Sequence, residues 1–139
     1  MYKLYGSAGT GSTGPQAILA ESGIAHEMIM LDLENEEHRT PENLAMNPRG
    51  QVPWLVTDDG VLTESTAIML HLGDCHPEAG LLGPIGSIER ANTYKWMSFL
   101  ATNIYECVLR SEYAGRYTTD TNISGVKAAA HRDIDKWWG

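Results

Sequence analysis

Val52 and Pro53 form a pair that could bind an extended ligand through the protein backbone. The proline interrupts a stretch, 52–57, that otherwise has the composition of a strand, and proline cannot donate a hydrogen bond to a sheet. It therefore belongs at an edge or a bend. A cis Val52–Pro53 bond would turn the N–H and C=O of Val52 outward, where they could pair with a peptide-like ligand. From this pattern alone the isomer stays open, because most X–Pro bonds are trans.

Glu64 and Ser65 form a second candidate binding pair, at the predicted junction between a strand and a helix. A hydroxyl group and the free N–H groups of a helix start can bind a carboxylate. The negative charge of Glu64 beside them could hold an ammonium group. Together these groups suit the zwitterionic amino-acid end of a ligand. The alternative is that Ser65 only caps its own helix.

The elements that position these residues begin with a strand over 2–5, followed by a glycine-rich loop. Pro15 suits the first turn of a helix, which is predicted over 13–22. Residues 26–32 predict a second strand that is mostly buried. Strand, helix and strand within about 30 residues make a βαβ unit with parallel strands.

A second set of elements contains both candidate binding pairs. A short exposed helix is predicted near 41–44. Residues 52–57 and 61–63 predict two strands joined at 58–60 by Asp-Asp-Gly, a strong hairpin signal. A helix follows from residue 65 to about residue 72. The order βαβ, helical connection, ββα is that of a thioredoxin-like α/β domain.

The second half of the chain has a different character. Glycines and prolines accumulate at 79–86, which predicts a linker. Apolar residues then recur at spacings of three and four over 87–112, the pattern of one long amphipathic helix. A further helix is predicted from Val126. The predicted organisation is a thioredoxin-like domain over 1–78, a linker and a partial all-helical domain over 87–139.

Composition and charge restrict the classes of partner. The chain has 139 residues and a net charge of -8, which argues against a nucleic-acid partner or an anionic membrane. We see no secretory signal pattern and no apolar run of membrane-spanning length, so a cytoplasmic location is expected. Cys75 and Cys107 form neither a CxxC pair nor a metal-type spacing, which argues against a dithiol oxidoreductase and against a metal site.

Residues 47–55, Asn-Pro-Arg-Gly-Gln-Val-Pro-Trp-Leu, resemble the Asn-Pro-x-Gly-x-Val-Pro-x-Leu segment of the glutathione S-transferases. Residues 63–68, Thr-Glu-Ser-Thr-Ala-Ile, resemble the segment with which that family binds the γ-glutamyl group of glutathione. The two segments together are long and specific, and the chain resembles the bacterial type of the family. The resemblance implies that the first domain binds glutathione.

The resemblance also implies individual roles in holding glutathione. A cis Pro53 would let the backbone of Val52 pair with the cysteinyl part of the tripeptide. Glu64 and Ser65 would bind its γ-glutamyl end, and the side chain of Gln51 would support the same end.

A further implied role is to stabilise the thiolate of glutathione. A free thiol has a pKa of about 8.5 and is a poor nucleophile until it loses its proton. The family uses a hydroxyl or thiol donor after the first strand, helped by the N-terminus of the first helix. Ser12 and Thr10 are the candidates here, and Ser12 is preferred because it lies nearest the helix start. The alternative is that Ser12 is only an N-cap.

Tyr105, in the predicted long helix, falls where cysteine-using bacterial members carry a histidine near the sulfur. By resemblance it would contact the thiolate or the second substrate, and a packing role is the alternative.

The activity implied by the resemblance is attack of the glutathione thiolate on a small electrophile or a small disulfide. This chemistry requires no metal or organic cofactor besides glutathione as co-substrate. The resemblance implies a homodimer, and it covers only the beginning of the family's helical domain. The shortened helical part leaves a second hypothesis, a catalytically weak glutathione-binding or dimerisation module of the same fold.

Overall fold

The computed structural model describes residues 1–138, so the last residue of the predicted helical domain, Gly139, lies outside the described residues. The chain divides into two compact units, of which the first runs from Met1 to Gly83 and the second begins at Pro84. The domain limits predicted at residues 78 and 87 stay a prediction.

The first unit is built on a four-stranded mixed sheet with the strand order β2-β1-β3-β4. Its strands are β1 (Tyr2–Gly6), β2 (His26–Met30), β3 (Trp54–Thr57) and β4 (Gly60–Thr63). Its helices are α1 (Thr13–Glu21), α2 (Pro41–Met46) and α3 (Ser65–Cys75). β1 runs parallel to β2 and antiparallel to β3, and β3 runs antiparallel to β4. The predicted thioredoxin-like arrangement is therefore confirmed.

Five fully buried side chains hold α1 and α3 against the sheet. Leu4 of β1 lies opposite Leu55 of β3, so both project from the same face. Leu19 comes from α1, and Ile68 and Leu72 come from α3. The last two are four residues apart and share one helical face. This apolar core fixes the strand ends at which the loops begin.

β2 differs from its prediction, which gave a mostly buried strand over residues 26–32. The observed strand ends at Met30, and its residues are half-buried or exposed. The reason is its position at the edge of the sheet, where it pairs with β1 alone. An edge strand has no neighbour on its outer side, so an apolar sequence does not by itself make it buried.

The second unit is helical. It contains α4 (Ile88–Phe99), a π-helical turn (Leu100–Tyr105), α5 (Glu106–Glu112) and α6 (Ser124–Trp138). The single long helix predicted over 87–112 is thus helical along its length but changes its hydrogen-bonding pattern in the middle. Ser87 caps the start of α4, since its hydroxyl accepts the N–H of Arg90 at 3.2 Å.

Packing of α5 against α6 gives the second unit its buried centre, which includes Cys107 and Ala130. At its margin, Arg110 Nη2 lies 3.3 Å from Asp133 Oδ2.

Candidate ligand-binding site

Three predicted site segments leave the sheet at the same end of its strands. They are the loop with Thr10 and Ser12, the residues around Val52, and the start of α3 at Ser65. β1 ends at Gly6, and the antiparallel pairing places Tyr5 opposite Trp54, the first residue of β3. Trp54 also pairs with Thr63, the last residue of β4. The loop after β1, the residues before β3 and the start of α3 after β4 therefore lie side by side.

Val52 presents free backbone groups at this end of the sheet. The Val52–Pro53 peptide bond is cis, and Pro53 is buried while Val52 is half-buried. Val52 precedes β3, and within residues 1–138 its N–H and C=O make no hydrogen bond. Backbone groups that lack a partner in the protein require one from water or from a ligand. An extended ligand could pair with them here as an added strand does.

Asn47 holds the loop that leads to Val52, a role that the sequence analysis missed. Asn47 is 2% exposed. Its Nδ2 donates to the carbonyl oxygen of Gln51 at 2.6 Å, and its Oδ1 accepts the N–H of Arg49 at 3.2 Å. A buried amide with both ends bonded fixes the backbone around it. The available signal was the position of Asn47 at the head of the 47–55 motif.

Ser65 is the first residue of α3, and its hydroxyl makes no hydrogen bond among the described residues. The first N–H bonded within the helix is that of Ile68, which donates to the carbonyl oxygen of Glu64 at 2.9 Å. The preceding N–H groups of the helix have no intrahelical partner. Ser65 therefore does not cap α3, and the helix start presents a hydroxyl and free N–H groups to an anion.

Glu64 precedes α3 in an unusual backbone conformation, with φ 67° and ψ 112°. Such a positive φ is uncommon for a residue with a side chain. Its carboxylate Oε1 lies 2.9 Å from Nη1 of Arg49, and both side chains are 64% exposed. The sequence pattern predicted that Glu64 binds the ammonium group of a ligand, but it gave no sign that Arg49 forms an ion pair with this carboxylate.

Thr10 and Ser12 lie in one hydrogen-bond network but differ in access. Ser12 is 1% exposed, whereas Thr10 is half-buried. The Ser12 hydroxyl donates to the carbonyl oxygen of Ser7 at 2.9 Å and accepts the N–H of Ser7 at 3.2 Å. The Thr10 hydroxyl donates to the same carbonyl oxygen at 2.7 Å. Ser12 therefore stabilises the loop through hydrogen bonds of its buried hydroxyl.

Ser12 does not act as a side-chain cap of α1, since its hydroxyl makes no capping bond to that helix. Its burial depends on Gly6, where an added Cβ would clash with the Ser12 side chain. Glycine at the end of β1 thus lets the loop fold back over the strand.

Gln51 and Tyr105 are both exposed, Gln51 in the first unit and Tyr105 in the second. The side chain of Gln51 is exposed and makes no hydrogen bond among the described residues, while its carbonyl oxygen accepts from Asn47. Tyr105 is 43% exposed and ends the π-helical turn of the second unit. Its predicted approach to the thiol stays a prediction.

An open cavity of about 240 Å³ lies elsewhere in the first unit, beside Tyr2, Asp58, His71 and Cys75. Burial and the neighbouring Cys75 raise the pKa of Tyr2. Ser65 and Cys75 are the two ends of α3, so about 15 Å of helix separates this cavity from the predicted site. None of the predicted site residues lines it, and it takes no part in the site described above.

Residues 1–138 contain no group of three or more histidine, cysteine or acidic side chains arranged to hold a metal ion. In the same part of the chain, no helix combines the length and the apolar character needed to span a membrane.

Comparison with known sequences links this geometry to one family. The profile of the glutathione S-transferase N-terminal domain matches residues 1–74. Glutathione S-transferase GstA of Escherichia coli O157:H7 is 38% identical over 106 residues, which cover 75% of this chain and 53% of GstA. Protein LigF of Sphingobium sp. is 34% identical over 136 residues, which cover 96% of this chain and 49% of LigF. The chain therefore spans about half the length of these curated relatives.

Solved structures give the same result. A glutathione transferase homologue from Sulfitobacter with bound glutathione superposes with a TM-score of 0.88 at 25% identity, over 98% of this chain and 66% of that one. A sphingomonad glutathione S-transferase complexed with glutathione gives a TM-score of 0.80 at 31% identity, over 96% of this chain and 65% of that one.

Proposed function

The chain belongs to the glutathione S-transferase family and is similar to its bacterial members; on this premise we propose that it binds glutathione and activates the thiol for attack on a small electrophile or a small disulfide. The observation that carries the proposal is the start of α3, whose hydroxyl and first N–H groups make no hydrogen bond within residues 1–138. The Ser65 hydroxyl and the free N–H groups of this helix directly follow Glu64, and the pairing of Trp54 with Thr63 brings the helix start close to the residues before β3.

These groups match the chemistry of a γ-glutamyl tripeptide. The α-carboxylate of the γ-glutamyl group would accept hydrogen bonds from Ser65 and the helix N–H groups. Its ammonium would pair with Glu64, and Gln51 would support this end. The cysteinyl part would lie along Val52 and pair with its N–H and C=O. That direction brings the sulfur toward the loop after β1, because the loop leaves the sheet beside Val52.

Thr10 is the better candidate for stabilising the thiolate. Ser12 is 1% exposed and its hydroxyl is already bonded to Ser7, so a ligand sulfur could not reach it without opening the loop. Thr10 is half-buried, and its hydroxyl could turn from the Ser7 carbonyl to a thiolate. A hydrogen bond to a charged acceptor is stronger than one to a neutral carbonyl, which favours that turn once the thiolate forms.

The remaining parts of the proposal rest on the family. Tyr105 would approach the thiolate or the second substrate from the helical unit. Glutathione would serve as co-substrate, with no further cofactor. The protein would act as a cytoplasmic homodimer, and its free Cys75 and Cys107 are compatible with a reducing compartment.

A catalytically weak binding module is the second candidate, and one observation favours it. The Thr10 hydroxyl already makes hydrogen bonds inside the loop, at 2.7 Å to the carbonyl oxygen of Ser7 and at 2.9 Å to the Ser12 hydroxyl. If the Thr10 hydroxyl keeps its bonds within the loop, glutathione binds but its thiolate receives no hydrogen bond from the protein loop.

Calorimetric titration with glutathione tests the proposal, using wild type, Ser65→Ala and the control Ser87→Ala. Ser87 is also at a helix start, but it caps α4 in the second unit. Ser65→Ala should weaken binding about tenfold or more, the effect of losing a hydrogen bond to a charged group, and Ser87→Ala should not. Absence of binding to the wild type would refute the proposal. Binding without ultraviolet thiolate absorbance would favour the module.

A further inference from the structure

Arg49 and Glu64 form an ion pair at the place where the proposed function puts a ligand's ammonium. Nη1 of Arg49 lies 2.9 Å from Oε1 of Glu64. Within residues 1–138 neither side chain makes another ion pair or hydrogen bond. The carboxylate thus has a cation beside it before any ligand arrives.

The backbones of both partners are held in place. The N–H of Arg49 donates to the buried Asn47 side chain at 3.2 Å, and Gly50, which follows, has φ 55°. Glu64 is held between β4 and α3 and accepts the first helical N–H through its carbonyl oxygen. The two side chains therefore meet across a fixed gap, while their 64% exposure leaves them able to exchange partners.

We propose that Arg49 determines how strongly the site recognises the ammonium group of its ligand, because its guanidinium competes with that ammonium for the Glu64 carboxylate. This inference rests on the proposed binding of glutathione. Exposed ion pairs are weak, so competition between the Arg49 guanidinium and the ammonium for Glu64 should change the dissociation constant of glutathione only about two- to fivefold.

A second effect of Arg49 must be separated from the competition. Glutathione carries a net negative charge, and any nearby cation attracts it. Removing Arg49 would weaken that attraction for every anionic ligand, with or without an ammonium group. Competition for Glu64 affects only ligands that carry the ammonium.

The test compares glutathione with its analogue glutaryl-cysteinyl-glycinamide, in which hydrogen replaces the amino group and a C-terminal amide keeps the net charge equal to that of glutathione. Dissociation constants for both ligands are measured on wild type, Arg49→Gln, Arg49→Lys and Arg132→Gln. Arg132 lies on α6 in the second unit and gives a control with the same loss of charge. We expect Arg49→Gln to lower the ratio of the dissociation constant of glutathione to that of the analogue about two- to fivefold, because only glutathione gains from the loss of the competitor. Arg49→Lys keeps a competing cation and should stay near the wild-type ratio.

An unchanged or raised ratio in Arg49→Gln would overturn the inference while leaving glutathione binding intact. A fall of the same size in Arg132→Gln would overturn it as well, because the effect would then be one of net charge. Failure of the wild type to bind glutathione would remove the proposed function itself.

Discussion

The hydroxyl oxygens of Thr10 and Ser12 lie 2.9 Å apart, and both side chains donate to the carbonyl oxygen of Ser7. Only one of the two is accessible, because Ser12 is 1% exposed and Thr10 is half-buried. The pair therefore divides two tasks. Ser12 maintains the loop, and Thr10 is the hydroxyl that can turn outward to a ligand.

Thr10→Ala should lower the thiolate absorbance of bound glutathione toward that of free glutathione, since the only accessible hydroxyl of the pair is lost. Thr10→Ser should retain it. Affinity for S-methylglutathione, which has no thiol proton, should stay within about twofold of wild type, below the effect of one net hydrogen bond. Thr13→Ala is the neighbouring control, because the Thr13 hydroxyl is exposed and, among the described residues, bonds only to the Thr10 carbonyl oxygen. An undiminished thiolate signal in Thr10→Ala would show that this assignment is wrong.

Ser12→Ala should lower the free energy of unfolding by about 1–3 kcal/mol, because the N–H of Ser7 loses its buried acceptor. Urea unfolding followed by circular dichroism measures the change. Ser124→Ala is the matched control, because its hydroxyl bonds to Asn122 on the exposed surface of the second unit. A loss no larger than that of the control would mean that Ser12 does not maintain the loop.

Glu64→Gly should raise the free energy of unfolding by about 1 kcal/mol. Strain at an unfavourable φ is of the order of 1–3 kcal/mol, and the extra freedom of glycine in the unfolded chain offsets about 0.5–1 kcal/mol of the gain. The same variant should bind glutathione more weakly, since the carboxylate is lost. Glu64→Gln keeps the backbone conformation and should give no such gain. Equal stability of the two variants would argue against strain at residue 64.

The two cysteines should differ sharply in reactivity under native conditions. Cys75 is exposed, with its sulfur 3.6 Å from Nε2 of His71, whereas Cys107 is 1% exposed and contacts Arg110. A chromogenic disulfide reagent should modify one thiol per chain rapidly and the second only after denaturation. Cys75→Ser should abolish the fast phase, and Cys107→Ser should leave it. Fast modification of both thiols in the native protein would contradict the burial of Cys107.

The order of elements in the first unit was predictable because strong local signals mark it. Pro15 fits the start of α1, and the turn before Gly60 joins β3 to β4, as the pairing of Thr57 with Gly60 confirms. The edge position of β2 was not predictable in this way, since it depends on which strands pair rather than on local composition.

The geometry of the site depends on contacts that local patterns do not contain. Burial of Ser12 requires the close approach of Gly6, and this contact joins a strand end to a helix start. The positive φ of Glu64 has no sequence signal, because glycine and asparagine are the residues that mark such conformations. The π-helical turn at residues 100–105 is likewise invisible in the apolar spacing that correctly indicated a helical segment.

The central claim is that glutathione binds along Val52 and at the start of α3. A titration of the ¹⁵N-labelled protein with glutathione, followed by amide NMR shifts, tests it most directly. We predict saturable shifts at Thr10, Val52, Ser65 and Thr66, and none at Cys75, the far end of α3. Shifts centred on the cavity beside Tyr2 and Cys75, or no saturable shifts at all, would contradict the account.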